Sequence, residues 1–257
     1  MSDLRTPGKP RQRHRPSKQG AILSEELIVD TALRMMREHG AGGLSVRRLG
    51  AALGADPSAL YRYFKGTDDL LLAVADELIG RTMAEYAPTG DWRRDLRTIG
   101  HRIRDGYLDC PQVATLTMYR TTGRAKEAES INTVLGVLRG AGFPDEEAVR
   151  LYHALVDQGM ASAAQESCWS AMPESARAAE YRVWDEIYPA LAPKTYPHLV
   201  AVAPLLRDEM RRKSYDYALE LFLDAAAARL QALRPRKSRA RTAVRAESEP
   251  ERPESPA

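Results

Sequence analysis

Apolar residues recur at the three- and four-residue spacing of an α-helix along most of the chain, whereas the alternation typical of strands is lacking. Prolines and glycines divide this pattern into segments. The region 189–204 contains four prolines and is expected to be an irregular connection. The pattern predicts an all-α fold with helices over 24–40, 45–53, 57–64, 67–86, 92–107, a short stretch from 111, 126–140, 144–168, 174–188 and 204–233.

Several of these helices begin at residues that favour a helix start. Ser24, Ser45 and Thr67 are N-cap candidates, because a hydroxyl oxygen there can accept a hydrogen bond from a backbone N–H of the first turn. Pro57 stands at the favoured first helical position, directly after the tight turn Gly54-Ala55-Asp56. The second and third helices are therefore predicted to be short and separated by only three residues.

Charge is distributed unevenly, although the formal net charge of the 257 residues is only +3. Residues 1–66 carry 12 Lys/Arg and 6 Asp/Glu, residues 67–233 carry 19 and 25, and residues 234–257 carry 7 and 4. A basic first segment followed by an acidic one suggests a polyanion-binding head on a body with another task.

Composition also excludes some protein classes. No apolar run approaches the ~20 residues that span a bilayer, so no membrane partner is expected. Residues 1–18 are charged and Pro-rich, which is unlike a signal peptide. Two cysteines, Cys110 and Cys168, cannot form a framework of bridges, so a cytoplasmic protein with reduced thiols is expected.

Residues 24–67 fit a helix-turn-helix unit, in which the last helix enters the major groove of DNA. In the third helix, Leu60 and Phe64 are four residues apart and are expected to face the core. Side chains that can bond phosphates or base edges would then remain outside, and Arg62 has the geometry to pair with guanine. The residues expected on the outside are Ser58, Ala59, Tyr61, Arg62 and Tyr63.

The segment GLSVRRLGAALGADPSALYRYFKGTDDLLLAV (43–74) resembles the DNA-binding domain of the TetR family of bacterial transcriptional repressors. The shared features are Ser45, Gly54, Leu60-Tyr61-x-Tyr63-Phe64 and Lys65. The resemblance implies phosphate contacts from Ser45, Tyr61, Tyr63 and Lys65, and base-edge contacts from Arg47, Ser58, Ala59 and Arg62. Thr67 departs from relatives that carry Lys there.

Other interpretations of these residues stay open. Tyr61 and Tyr63 could pack locally, and Arg48 is either a DNA contact or a solvated side chain. The basic arm 5–18 either follows the minor groove or the phosphates, or is a solvated tail. We expect four segments: a disordered arm (1–20), a helix-turn-helix domain (21–67), a ligand-binding and dimerisation domain (68–233) and a disordered tail (234–257).

The region from Trp92 to Phe143 resembles the tetracycline-repressor branch of the family, through Trp92, Leu96, Arg97 and a Leu138-to-Phe143 motif. The positions that bind tetracycline and magnesium in that branch read Met83, Ile99, Ile103, Thr117, Arg120 and Val134 here. The metal-ligating His is thus Thr117, and Ile and Val give magnesium little to bind. We therefore expect a largely apolar inducer and no metal or other cofactor.

Further candidates for the ligand pocket are Tyr107, Met118, Tyr152, His153, Gln158 and Trp169, with ordinary core packing as the alternative for each. Two helices are expected to form a homodimer interface. The first, 144–168, carries small residues that permit close approach: Gly159, Ala161, Ser162, Ala163 and Ala164. The second, 204–233, carries Leu206, Met210, Tyr217, Leu221, Phe222 and Ala225. The alternative is that both are internal core helices.

These observations predict a repressor that binds a palindromic operator in double-stranded DNA as a homodimer and is released by a small-molecule inducer. Inducer binding would tilt the helix 67–86, which is rooted in both domains. The alternatives are a ligand-independent DNA-binding regulator, a nonspecific nucleic-acid-compacting protein and an enzyme. For an enzyme, the sequence has no HExxH, Walker, GxSxG or paired CxxC motif, and offers only His153, Glu166 and Cys168 on one helix.

Overall fold

The computed structural model describes residues 23–39, 44–111, 113, 120–212 and 214–233. Within these ranges the chain forms ten α-helices and no strand, which confirms the predicted all-α fold. The helices are α1 (Glu25–His39), α2 (Val46–Ala52), α3 (Pro57–Leu60), α4 (Thr67–Met83), α5 (Trp92–Asp109), α6 (Ala125–Gly140), α7 (Asp145–Ala171), α8 (Glu174–Arg182), α9 (Pro197–Arg212) and α10 (Tyr215–Leu233). A π-helical turn (Val183–Ile187) follows α8. None of the described helices is long and apolar enough to cross a membrane.

Two of the three predicted N-caps are present. The Ser24 hydroxyl accepts a hydrogen bond from the Leu27 N–H (3.1 Å), and the Ser45 hydroxyl accepts one from the Arg48 N–H (3.2 Å). The Thr67 cap was wrong: Gly66 is the N-cap of α4, and Thr67 is its first helical residue. The Asp69 carboxylate closes this turn instead, by accepting a hydrogen bond from the Lys65 N–H (3.0 Å).

Several predicted boundaries differ from the structure. The third helix ends at Leu60, although the Phe64 N–H still bonds the Leu60 carbonyl (3.1 Å), and α4 ends at Met83 rather than near Tyr86. The predicted irregular region is partly wrong, because α9 begins at Pro197 and continues through Pro204. A proline is tolerated in the first turn of a helix, so Pro197 starts this helix rather than preventing it.

The predicted helix over 204–233 is two helices, α9 and α10. A new helix starts after the break, where the Ser214 carbonyl accepts the Ala218 N–H (3.0 Å). The predicted helix 174–188 likewise ends at Arg182 and gives way to the π-helical turn. The arm 1–20, the tail 234–257 and most of the predicted helix from 111 lie outside the described residues.

The first hydrophobic core joins α1, α2 and α3 to α4. Leu60 and Phe64 are each only 3% exposed, as their spacing predicted. The core extends along α4 to Leu78 and includes Cys110 and Val113, which follow α5. Helix α4 is therefore part of the head's core although it lies beyond residue 67.

The second core lies between α5, α6, α7 and α10. Leu96, Leu138 and Leu219 are among its fully buried side chains. Ion pairs on its border join the same helices: Arg97 donates two hydrogen bonds to the Glu220 carboxylate (2.5 and 2.9 Å), and Arg104 does so to Glu166 (2.7 and 2.5 Å).

A buried carboxylate connects α4 to α6. Asp76 is 8% exposed and accepts hydrogen bonds from the Glu127 N–H (2.8 Å) and the Lys126 N–H (3.4 Å) in the first turn of α6. The Thr122 hydroxyl oxygen lies 3.3 Å from the same carboxylate. The first N–H groups of a helix have no partner within the helix, so a carboxylate from a neighbouring helix is a favourable partner.

Replacing Asp76 tests this connection. Asp76→Ala is expected to cost about 1–3 kcal/mol of stability, because it leaves buried N–H groups of α6 without an acceptor. Asp76→Asn keeps an oxygen acceptor at the same place and should cost less. Chemical denaturation of both variants measures the difference. Equal losses would show that negative charge, rather than the hydrogen bonds, makes the contribution.

Gly50 gives a second test, because a Cβ there would lie 2.9 Å from the Ala55 carbonyl oxygen and 3.3 Å from the Pro57 Cα. These are backbone atoms of the turn between α2 and α3, so Gly50→Ala is expected to destabilise the protein by about 1–3 kcal/mol.

Gly136→Ala is the matched control, since no atom lies within 4 Å of its Cβ position in α6. This substitution should stabilise the helix by about 0.5–1 kcal/mol. Thermal unfolding midpoints are expected to move in opposite directions. A midpoint unchanged by Gly50→Ala would contradict the close packing of the turn.

Candidate DNA-binding surface and ligand cavity

The helix-turn-helix is held together by short-range contacts. Gly54 has a positive φ of 61°, which turns the chain after α2. The Asp56 carboxylate then accepts a hydrogen bond from the Ser58 N–H (2.8 Å) and caps α3. Hydrogen bonds from Ser58 lower the pKa of Asp56, so the cap is charged at neutral pH.

Most of the predicted DNA contacts are exposed on α2, α3 and the turn that follows. Tyr61 is 55% exposed. The Arg62 side chain is exposed, and its Nε donates a long hydrogen bond to the Ala59 carbonyl (3.4 Å). The other exposed members of the predicted set are Ser45, Arg47, Arg48, Ser58 and Lys65.

Two members of the set are not fully outside, contrary to the expectation from spacing. Tyr63 is half-buried against the first core, and its hydroxyl donates a hydrogen bond to the Leu23 carbonyl (2.5 Å). Ala59 also packs against this core. A phenol has a single proton to donate, so the Tyr63 hydroxyl cannot give it to a phosphate while it bonds Leu23.

A cavity of about 220 Å³ lies between α4, α5, α6, α7 and residues 120–122. It is smaller than the roughly 300–1,000 Å³ of drug-sized pockets. Apolar side chains form much of its wall. Seven of the predicted pocket residues line it: Met83, Ile103, Tyr107, Arg120, Val134, Tyr152 and His153.

Three predicted residues do not line the cavity. Ile99 is fully buried in the second core, one helical turn before Ile103. Gln158 does not line the cavity, although its neighbour Asp157 does. Trp169 lies farther along α7, where its ring packs edge-on against Tyr181 (5.4 Å between ring centroids). Thr117 and Met118 lie outside the described residues.

The apolar expectation for the pocket missed several polar residues. Thr82, Thr122, Glu127, Ser130 and Asp157 also line the cavity. Helical spacing from predicted residues could have found two of them, because Glu127 stands seven residues before Val134 and Asp157 four after His153. Burial raises the pKa of the Tyr152 hydroxyl, and the charges of Glu127 and Asp157 raise it further.

The segment that forms one wall of the cavity also binds α4. Arg120 donates hydrogen bonds to both carboxylate oxygens of Asp68, at 2.7 and 2.6 Å. The hydrogen bond from Arg120 lowers the pKa of Asp68. Arg124 then bonds the Asp69 carboxylate (2.7 Å) and pairs with Glu25 of α1 (3.0 Å). Residues 120–124 are thereby connected both to α4 and to the helix-turn-helix.

The three residues that suggested an enzyme do not form one site. Glu166 is buried in its ion pair with Arg104, Cys168 is exposed, and His153 lines the cavity. His153 and Glu166 are 13 residues apart on α7, which is about 20 Å along a helix. Among the residues that the structure describes, no group of three or more His, Cys, Asp or Glu is placed to hold a metal ion.

Comparison with known proteins agrees with this architecture. Residues 28–74 match the family model of bacterial regulatory proteins of the tetR family. Residues 86–230 match the tetracyclin repressor-like C-terminal domain.

An HTH-type transcriptional repressor of Mycobacterium tuberculosis is 30% identical over 156 residues, which are 58% of this chain and 58% of that protein. The chain thus matches less than two thirds of this relative's length.

Solved structures share the fold. The crystal structure of apo ActR from Streptomyces coelicolor has a TM-score of 0.72 at 21% identity and covers 82% of this chain and 97% of that one. ActR in complex with actinorhodin gives a TM-score of 0.68 at 24% identity, with 82% and 98% covered. Because the two family models together span the head and the body, the chain belongs to the TetR family of bacterial regulatory proteins.

Proposed function

We propose that the protein is a DNA-binding transcriptional repressor whose affinity for its operator is controlled by a small molecule in the cavity. One observation supports the coupling most directly: Arg120 lines the cavity and also binds Asp68 at the start of α4. Helix α4 packs in the core of the helix-turn-helix. A ligand that displaces Arg120 therefore acts on the element that carries the head.

The head would bind DNA through α3 and its flanks. Tyr61, Ser45 and Lys65 can donate to phosphates, which sets the register of the head on the duplex. Arg47, Ser58 and Arg62 can donate to base edges, and the Ala59 methyl can contact a thymine methyl. Tyr63 would join the phosphate contacts only by releasing the Leu23 carbonyl, and Arg48 would add a further positive charge near the backbone.

Two heads are needed for a palindromic operator, so we assign the protein a homodimer built on α7 and α10. Along α10, one face is buried in the second core while Tyr217 (67% exposed) and Leu221 (52%) face outward with Ala225. Along α7, Gly159 and Ala163 face the subunit's own core, so the small-residue surface is narrower than predicted. Ala161 remains exposed there.

The ligand would act by binding one arrangement of α4 better than another, because only differential affinity shifts an equilibrium. A related fold, that of ActR, is known in complex with actinorhodin, which supports a small molecule as the effector. We expect an effector with an apolar framework, held without magnesium. A repressor of bacterial genes would act in the cytoplasm.

Substitutions in the third helix test the DNA-binding role. A duplex selected from a random pool and mapped by footprinting serves as operator, and fluorescence anisotropy measures affinity. Arg62→Ala is expected to cost about 1–3 kcal/mol and to relax preference at one base pair. Tyr61→Phe should weaken binding to all sequences alike, because it removes a phosphate donor.

Arg182→Ala is the control for these variants, since it removes the same charge from the exposed surface of α8 in the body. Its affinity should equal that of the wild type. A footprint spread over any DNA would favour a nonspecific compacting protein. Operator affinity that no compound alters would favour a ligand-independent regulator.

Leu221→Arg tests the dimer. A charge placed in an apolar interface is expected to shift the protein to monomers and to lower operator affinity by tenfold or more, because one head loses its partner. Sedimentation velocity measures the first effect and anisotropy the second. Ile187→Arg, at an exposed apolar position in the π-helical turn and outside the two assigned interface helices, is the control. Dimers of unchanged stability in Leu221→Arg would contradict the assigned interface.

A further inference from the structure

The charges around the cavity do not balance. Two carboxylates line it, those of Glu127 on α6 and Asp157 on α7. Arg120 is a lining residue of opposite charge, but both of its terminal nitrogens bond the carboxylate of Asp68 on α4. The positive charge of Arg120 is thus compensated from outside the cavity and is not paired with either lining carboxylate.

Glu127 is only partly satisfied by the protein. Its Oε2 atom accepts hydrogen bonds from the Thr122 hydroxyl and the Gly123 N–H, both at 2.9 Å. Neither Glu127 nor Asp157 forms an ion pair with any residue that the structure describes. Residues 114–119, which precede Arg120 in the sequence, read ATLTMY and contain no basic residue.

The two carboxylates lie at the same level of the cavity. Helices α6 and α7 form an antiparallel hairpin across the short connection 141–144. Glu127 stands 13 residues before the end of α6, and Asp157 stands 12 residues after the start of α7. At 1.5 Å per residue these positions differ by only about 2 Å along the hairpin. Tyr152 lies near both, since each of their charges acts on its hydroxyl.

The rest of the wall suits an apolar ring. Tyr152, Val156 and Met160 follow one face of α7, and Ile131 and Val134 face them from α6. Glu127 is half-buried, whereas Asp157 is exposed and marks the mouth of the cavity. An ammonium group bound beside these carboxylates would give them a charged hydrogen-bond donor, and such bonds are stronger than those from the neutral donors of the protein.

We propose that the cavity selects ligands in which an apolar ring system carries a protonated amine, with the ammonium group between Glu127 and Asp157. This inference rests on the proposed function only in using the same cavity as the effector site. Tyr107 and Tyr152 line the same cavity and add aromatic surface beside the proposed ammonium site.

Three matched probes test the inference: 2-naphthylmethylamine, 2-naphthylmethanol and 2-naphthoate, which differ in charge on one ring system. Isothermal titration at neutral pH with the full chain is expected to give an affinity for the amine about tenfold or more above that for the alcohol, with the carboxylate weakest. Equal affinity for amine and alcohol, a preference for the carboxylate, or no binding of any probe would overturn the proposal.

Variants that remove one negative charge from the cavity test where the ammonium group binds. Glu127→Gln and Asp157→Asn should each lower the affinity for the amine about tenfold and leave that for the alcohol unchanged. Glu129→Gln is the matched control, because Glu129 is exposed on α6 and does not line the cavity. Amine binding that survives both cavity variants would overturn the proposal, as would an equal loss of amine and alcohol binding.

Operator release is measured separately from probe binding, so the two hypotheses can fail independently. Selective amine binding that leaves operator affinity unchanged would contradict the proposed ligand control and keep the assigned ligand class. Release of the operator by the neutral alcohol alone would support ligand control and overturn the ligand class.

Discussion

The buried carboxylate of Asp76 is the contact on which the relation between head and body depends. A buried carboxylate must keep its hydrogen-bond donors, and here the donors are the first N–H groups of α6. This contact therefore ties the middle of α4 to the first turn of α6. Glu127 in that turn also lines the cavity, so the same turn of α6 contacts both α4 and the proposed ligand site.

Charged contacts also hold the N-terminal end of α4. Arg120 and Arg124 bind Asp68 and Asp69 in its first turn, and Arg124 also reaches Glu25 of α1. Exposed ion pairs of this kind contribute little to stability individually. Together they set the orientation of α4, because each constrains where its first turn lies relative to the cavity wall. Weak contacts are suitable for this position because an effector of modest affinity can exchange them.

The fold was largely predictable from the sequence, because helical spacing and start signals are local properties. Leu60 and Phe64 illustrate this, as their separation alone places both in the core. Two predictions from local signals were wrong. At Thr67 the helix starts one residue earlier than expected, with Gly66 as an N-cap that has no side chain, and at Pro197 a helix begins where prolines suggested a loop. The Tyr63 bond to Leu23 spans 40 residues and leaves no periodic signal.

The cavity was predictable only in part. The resemblance supplied positions such as Ile103 and Val134, but it could not reveal residues that differ in role, such as Glu127 and Asp157. Whether a residue lines a cavity depends on its height along the helix as well as on its face: Ile99 shares a face with Ile103 but lies one turn earlier, inside the second core.

The position of Ile103 in the cavity wall depends on the absence of a side chain at Gly159. A Cβ at Gly159 would come within 2.9 Å of the Ile103 Cγ2 atom, so α7 leaves room for Ile103 to stand back from the cavity. A side chain at that glycine would force Ile103 or α7 to shift and would change the cavity wall at this point. A change behind the wall would thus alter the shape of the cavity while every side chain that lines it stays the same.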